Sequence, residues 1–429
     1  MNRFYQISLV LTGLCLVANP LFAQRTLLHC GSLLDGTRSD LQREMTVVVE
    51  GNKITAIQKG YSRPAGSDQV IDLKNKTVLP GLIDMHVHIE SETRRGGSYD
   101  RFTNNVPDIA FQAAQIAKTT LLAGFTTVRD LGGTGVNIAL RNAINRGLVD
   151  GPRIFTAGKS IATTGGHADP TNGYRKDLMG DPGPNEGVIN GPEDARKAVR
   201  QRYKDGSDVI KITATGGVLS MAKDGSGPQF TEEEVRAVVE AAKDYGFTVA
   251  AHAHGAEGMK RAIRAGVTTI EHGTLMDDEA IALFKKHGTY YVPTIIAGRT
   301  AADSARIFGY YPPMVAAKAI AIGPKIQDTF AKAYKAGVKI AFGTDAGVFI
   351  HGNNAKEFEY MVEAGMPPAE AIKSATVTNA ELLGMKDQIG TIETGKLADI
   401  IAVDQNPLQN IKTLQTVRFV MKDGKVYKQ

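Results

Sequence analysis

Two histidines, His86 and His88, stand two residues apart at the end of the apolar run Leu79-Pro80-Gly81-Leu82-Ile83. On a β-strand, positions i and i+2 face the same side, so both imidazoles can address one point. A His-x-His pair also arises by chance, and alone it weighs evenly between a metal site and an ordinary pair. Further along, four more ligand-type residues close apolar runs. Lys211 sits in Val209-Ile210-Lys211-Ile212, His252 follows Val249-Ala250-Ala251, His272 follows Ile270-Glu271, and Asp345 follows Phe342-Gly343-Thr344. A strand buried on both faces has no place for a lysine without a partner. Snorkelling or an ion pair is the plain alternative. Beside bound cations, desolvation and repulsion disfavour the ammonium form. The neutral amine then takes up carbon dioxide to give a carbamate, an anionic two-oxygen ligand able to bridge two metals. Either His252 or His272 alone would read as a hydrogen-bonded core residue; both, at consecutive strand ends in a chain with 9 histidines, point to ligands. Asp345 has a helix N-cap as its alternative role, and is expected to act as metal ligand and general base. Nitrogen and oxygen ligands with an open position suit Zn²⁺, which lowers the pKa of bound water to about 7. Two such ions ~3.5–4 Å apart would hold the resulting hydroxide and polarise a carbonyl, with Asp345 passing a proton to the departing amine. Amide hydrolysis is the expected chemistry.

Residues this far apart in sequence need a scaffold that gathers strand ends. Between 81 and 385 strand-like runs alternate with helical ones, the signature of strand–helix units. One helix begins at Thr231, whose capping box with Glu234 precedes a face of Val235, Val238, Val239 and Ala242 and a closing Gly246. Counted in such units, the candidate ligands fall on strands 1, 4, 5, 6 and 8 of a (β/α)8 barrel, whose functional groups gather at the C-terminal ends of its strands. The two ends of the chain, 24–80 and 386–429, carry short strand-like runs instead. Because termini of a compact chain are often close in space, they predict one small β-sandwich domain assembled from both.

With 429 residues, 22% charged and 42% hydrophobic, and a net charge of +5, the chain has ordinary globular composition and nothing that suggests nucleic acid. Residues 1–23 contain Arg3, an apolar run from Ile7 to Val17 and a small residue, Ala23, at a cleavage point. They read as a secretory signal peptide, too short in its apolar part for a mature membrane anchor. The expectation is a periplasmic or secreted protein without an anchor after cleavage. Cys15 would leave with the signal, so the remaining cysteine, Cys30, has no internal partner and is expected to be a small buried hydrophobe. A homo-oligomer acting on a small amide or dipeptide is expected.

The ordered set His-x-His, Lys, His, His, Asp, with Thr376-Val377-Thr378-Asn379-Ala380 and Ile389-Gly390-Thr391-Ile392-Glu393-Thr394-Gly395-Lys396-Leu397-Ala398-Asp399, resembles the amidohydrolase superfamily over essentially the whole mature chain. Lys211-Ile212-Thr213-Ala214-Thr215-Gly216-Gly217 and His252-Ala253-His254-Gly255 are similar to its prolidase-like branch of Xaa-Pro and other dipeptidases and ochratoxinase-type amidases. The resemblance implies His86 and His88 on the more buried metal, carbamylated Lys211 bridging, His252 and His272 on the second metal, and Asp345 as ligand and proton shuttle. It also implies that His167, after Gly165-Gly166, polarises the substrate carbonyl; a backbone-capping loop histidine is the alternative. His254 shares a face with His252 and is a candidate substrate contact, as are Tyr291, Arg299 and His351. The implied reaction is cleavage of the amide bond to a C-terminal amino acid in dipeptides or N-acyl amino acids, ochratoxin A included. Three alternatives stand beside it. A mononuclear deaminase should lack Lys211 and carry a glutamate where Gly255 stands. Cyclic-amide hydrolysis of the imidazolonepropionase type shares much of the ligand set, and a non-catalytic barrel scaffold should have broken it.

Overall fold

The computed structural model describes residues 25–223 and 225–429, and the segment read as a signal peptide lies outside the described residues. The first strands are β1 (Arg25–Leu33), β2 (Gln42–Glu50), β3 (Lys53–Lys59) and β4 (Gln69–Pro80). Then come β5 (Leu82–Val87), β6 (Phe125–Asp130), β7 (Arg153–Thr156), a short parallel pair β8 (Ala162–Thr163) and β9 (Val188–Ile189), β10 (Ile210–Thr213), β11 (Val249–Gly255), β12 (Thr269–Leu275) and β13 (Tyr290–Val292). The last three are β14 (Ile400–Val403), β15 (Phe419–Lys422) and β16 (Lys425–Lys428).

Parallel pairing runs β5-β6-β7 and β10-β11-β12-β13, and isolated contacts join the two arcs. Ile161, beyond β7, bridges Ile212 of β10. On the other side the segment 340–346 supplies the eighth barrel strand: it bridges Tyr291 at Ile340 and Val87 at Ala346. Backbone bonds Ala341 to Tyr291, Met85 to Phe342 and Asp345 to His86 close the ring at 2.9, 3.0 and 2.7 Å. Amphipathic helices cover it between successive strands. The helix Glu232–Asp244 begins with the expected capping box and buries Val235, Val238, Val239 and Ala242 against the barrel. Between β13 and the eighth strand two further helices, Ile295–Ala305 and Pro313–Ile322, are inserted before Ile326–Lys335. Among the described residues no helix is long and apolar enough to cross a membrane.

Strands from both chain ends meet in one sheet of order β16-β15-β14-β4-β1-β2-β3. The strands of the expected β domain are hydrogen-bonded edge to edge in one continuous order, and residues from both chain ends close over a common core. Leu28, Val47, Ile71, Ile400 and Phe419 all belong to it. Cys30 lies in that core, and burial pushes its thiol up to about 12, which makes it inert. β1 pairs with β4 in parallel, with a register slip between Cys30 and Ser32. At Gly31 inside this slip, a Cβ would run into the Lys74 carbonyl, the close backbone approach that glycine in a strand permits. Gly31→Ala is therefore expected to lower the unfolding free energy by about 1–3 kcal/mol. Urea denaturation reads this directly, and an unchanged midpoint would mean the β1–β4 contact can slide.

Candidate metal centre

Each expected ligand reaches the same place because a barrel strand ends there. His86, His88, Lys211, His252, His272 and Asp345, together with His167 and His254, line one cavity of about 280 Å³ at the C-terminal ends of the strands. The ring centroids of His86 and His272 are 5.1 Å apart, and those of His252 and His272 4.6 Å apart. Asp345 Oδ1 lies 3.4 Å from His86 Nε2 and 3.2 Å from His88 Nε2. Lys211 Nζ lies 3.5 Å from His86 Nε2.

Hydrogen bonds on the outer nitrogens fix which nitrogen each ring turns inward. His86 Nδ1 pairs with Glu271 Oε2 at 2.9 Å, and His88 Nδ1 donates to the Gly132 carbonyl at 2.8 Å. His272 Nδ1 pairs with the Thr294 hydroxyl and His254 Nδ1 with that of Thr274, both at 2.8 Å. His252 reverses the pattern: its Nε2 donates to the Gly216 carbonyl at 3.2 Å, leaving Nδ1 free to face the centre. His167 stacks on His252 with centroids 4.4 Å apart, and its Nδ1 is buried without a hydrogen-bond partner.

Electrostatics prepares these groups to bind a cation. Burial, and then Lys211, lowers the His86 pKa to about 4, and burial is the first cause that lowers His254 to about 4. Neutral imidazoles are ligands. Burial also lowers Lys211 to about 8 against the pull of Glu271 and Asp345, so its amine loses its proton far more readily than a surface lysine does. Asp345 stays below the usual carboxylate range: burial opposes this, but His86, His88 and Lys211 outweigh it. Donor chemistry and spacing fit divalent ions, since His86, His272 and Asp345 each offer a ligand atom within 4.8 Å of the others.

Three residues expected to touch substrate lie off the cavity. Tyr291 is buried in the barrel wall and its hydroxyl donates to the His272 carbonyl at 2.9 Å. Arg299 bonds Gln327 and Glu363 and sits over the Tyr360 ring. His351 is buried behind the centre, where its Nε2 donates to the His88 carbonyl at 3.2 Å and its Nδ1 meets Thr120. Tyr291 and His351 thus brace the backbone of two candidate ligands.

The sequence reading missed the supporting carboxylates. Glu271 is fully buried, bonded to His86 and at 2.9 Å to Arg129 Nη2. Arg129, also buried, donates Nε to the Met85 carbonyl at 2.7 Å. Asp84 accepts the Thr344 hydroxyl and the Asn354 amide at 2.6 and 2.8 Å, beneath the first and eighth strands. The signal was present in charged residues within otherwise apolar strands, Arg129-Asp130 and Glu271. Glu271→Gln weakens the hold on the His86 ring and should lower affinity for divalent metal about 10–100-fold. Competition against a chromogenic chelator measures it, and undiminished affinity would show that His86 is oriented without Glu271.

Comparison with known proteins places this geometry. Residues 77–427 match the amidohydrolase family model. Ochratoxinase of Aspergillus niger is 32% identical over 438 residues, covering 95% of this chain and 87% of that protein. A solved Xaa-Pro dipeptidase with methionine bound in its active site is 56% identical, with a TM-score of 0.92, covering 95% of this chain and 100% of that one. A prolidase complexed with N-methylphosphonate-L-proline is 34% identical, with a TM-score of 0.86 and the same coverage of 95% and 100%.

Proposed function

Because this chain belongs to the amidohydrolase family and is a hydrolase of C–N bonds, we propose that it is a two-metal amidase. Its substrates are dipeptides or N-acyl amino acids, cleaved at the amide bond to the C-terminal residue. The observation that carries the reading is the convergence of four histidines, Asp345 and a buried, readily deprotonated Lys211 on one cavity. His86, His88, His252, His272 and Asp345 would hold two divalent ions, zinc in our reading. Lys211, as the neutral amine, would form an N–C bond with carbon dioxide and release a second proton, giving an anionic carbamate as a further ligand. When bound, such ions supply Lewis acidity and lower the pKa of water.

The chain's own groups account for the remaining chemistry. Asp345, held ionised, accepts the proton of the attacking water and delivers it to the nitrogen of the departing amine. Burial, then His254 and Lys211, lowers His167 to about 3, so its neutral ring can donate to the substrate carbonyl oxygen as negative charge develops there. The cavity continues away from the histidines into a wall of Ala297, Ala301, Ala319, Ile322 and Ile326. That wall suits an uncharged, apolar side chain on the released amino acid, in keeping with the methionine held by the dipeptidase relative. The signal-like first segment places the enzyme, in this proposal, in the periplasm or outside the cell.

Asp345→Asn should retain metal while losing most turnover on N-acyl and dipeptide substrates ending in methionine, phenylalanine or proline; substantial residual hydrolysis would remove Asp345 from the proton path. Elemental analysis of protein prepared with and without added carbon dioxide tests the centre. About two metal ions per chain, rising with carbon dioxide, are expected, and metal-free protein with full amidase activity would overturn the reading.

A further inference from the structure

A second, wider cavity of about 700 Å³ opens beside the metal centre and shares His88, Ser91, Thr93 and Leu219 with the first. Tyr311 stands in its wall, in the turn between the inserted helices Ile295–Ala305 and Pro313–Ile322. The turn is pinned to the loop after β5: the Tyr310 hydroxyl donates to the Thr93 carbonyl at 3.1 Å, and the Tyr310 and Tyr311 rings are 4.9 Å apart. The Tyr311 hydroxyl is buried and has no hydrogen-bond partner, although Ser304 lies beside it. Buried hydroxyls are almost always bonded, and one kept unbonded calls for an explanation. Burial first, then Tyr310 and Asp345, raises its pKa, so it stays a donor and it stands within electrostatic range of the reacting carboxylate.

An amino-acid carboxylate entering this space needs donors, and the two arginines that line it are engaged. Arg94 bonds Asp100 at 2.6 Å, and Arg101 bonds the Pro170 carbonyl and covers the Tyr174 ring. Lys318 donates to the carbonyls of Gly217, Ser220 and Ala222 at 2.7–2.8 Å. We propose that Tyr311 is a substrate-binding residue whose phenol donates a hydrogen bond to the α-carboxylate of the amino acid being released. This rests on the reaction proposed above. It assigns carboxylate recognition to the inserted turn, and leaves Tyr291 and Arg299 to structural duties.

The test is binding of L-methionine and of L-methioninol, which lacks the carboxylate, to zinc-loaded full-length protein by calorimetry. Tyr311→Phe should weaken methionine about 10- to 100-fold, the range for a hydrogen bond to a charged group, and change methioninol little. Without ligand, the variant should melt close to the parent, because within the fold the hydroxyl has only Ser304 beside it; a merely structural tyrosine would lower the melting temperature. The proposal is overturned if the variant binds methionine as the parent does, if both ligands weaken alike, or if the parent binds no methionine. Should methionine binding follow expectation while no dipeptide or N-acyl amino acid is cleaved, Tyr311 keeps its assignment and the proposed reaction falls.

Discussion

Glu271 and Arg129 place a full negative and a full positive charge inside a barrel core where neither touches solvent. An isolated ion there costs several kcal/mol, so each must find its partners within the fold. Arg129 and His86 satisfy Glu271, and outweigh burial to bring its pKa to about 2. The same contact settles the His86 tautomer: with Nδ1 tied to Glu271, Nε2 is the nitrogen turned toward Asp345 and Lys211. Arg129 in turn grips the Met85 carbonyl, one residue before His86. Strand position, ring orientation and local charge at His86, the first candidate ligand, are therefore set by one buried ion pair.

The eighth strand and β12 carry a different kind of constraint. His272, Thr294 and Asp345 have φ of 71°, 53° and 60°, left-handed values uncommon for residues with side chains. Such conformations cost of order 1–3 kcal/mol each and persist where surroundings over-determine them. The surroundings are visible. Tyr291 holds the His272 carbonyl, Asp345 donates its amide to the His86 carbonyl, and Glu357 accepts the amides of Ile295 and Ile296 just after Thr294. Two candidate ligands and the hydroxyl bonded to one of them thus sit on left-handed backbone.

Periodicity and strand-end chemistry made the barrel and the gathering of His86, His88, Lys211, His252, His272 and Asp345 legible in the sequence, while His167 came from the family resemblance and His254 from the face it shares with His252. Lys211 was readable because an apolar strand has no other use for an amine, and the histidines because their spacing followed strand–helix units. The composite sheet was readable as strands but not as one sheet, since pairing of β4 with β14 joins residues that no local pattern relates. Tyr291, Arg299 and His351 have side chains of the type that could meet substrate, and type cannot say which way a side chain points. Glu271 was passed over because its neighbour His272 claimed the strand end. Tyr311 sits in an inserted turn whose path follows from helix packing, which the sequence pattern does not contain.

The pairing of β4 with β14, from Thr77 opposite Val403 to Pro80 opposite Ile400, has a consequence in time. Strand β4 runs into the first barrel strand through Gly81, whose amide donates to the Asp399 carbonyl. Until the chain beyond residue 400 is made, one edge of that sheet presents unpaired amides and carbonyls, the template on which foreign strands assemble. Contacts this distant in sequence also form late. Chain completion is thus what covers that edge, and copies ending before residue 400 leave it open.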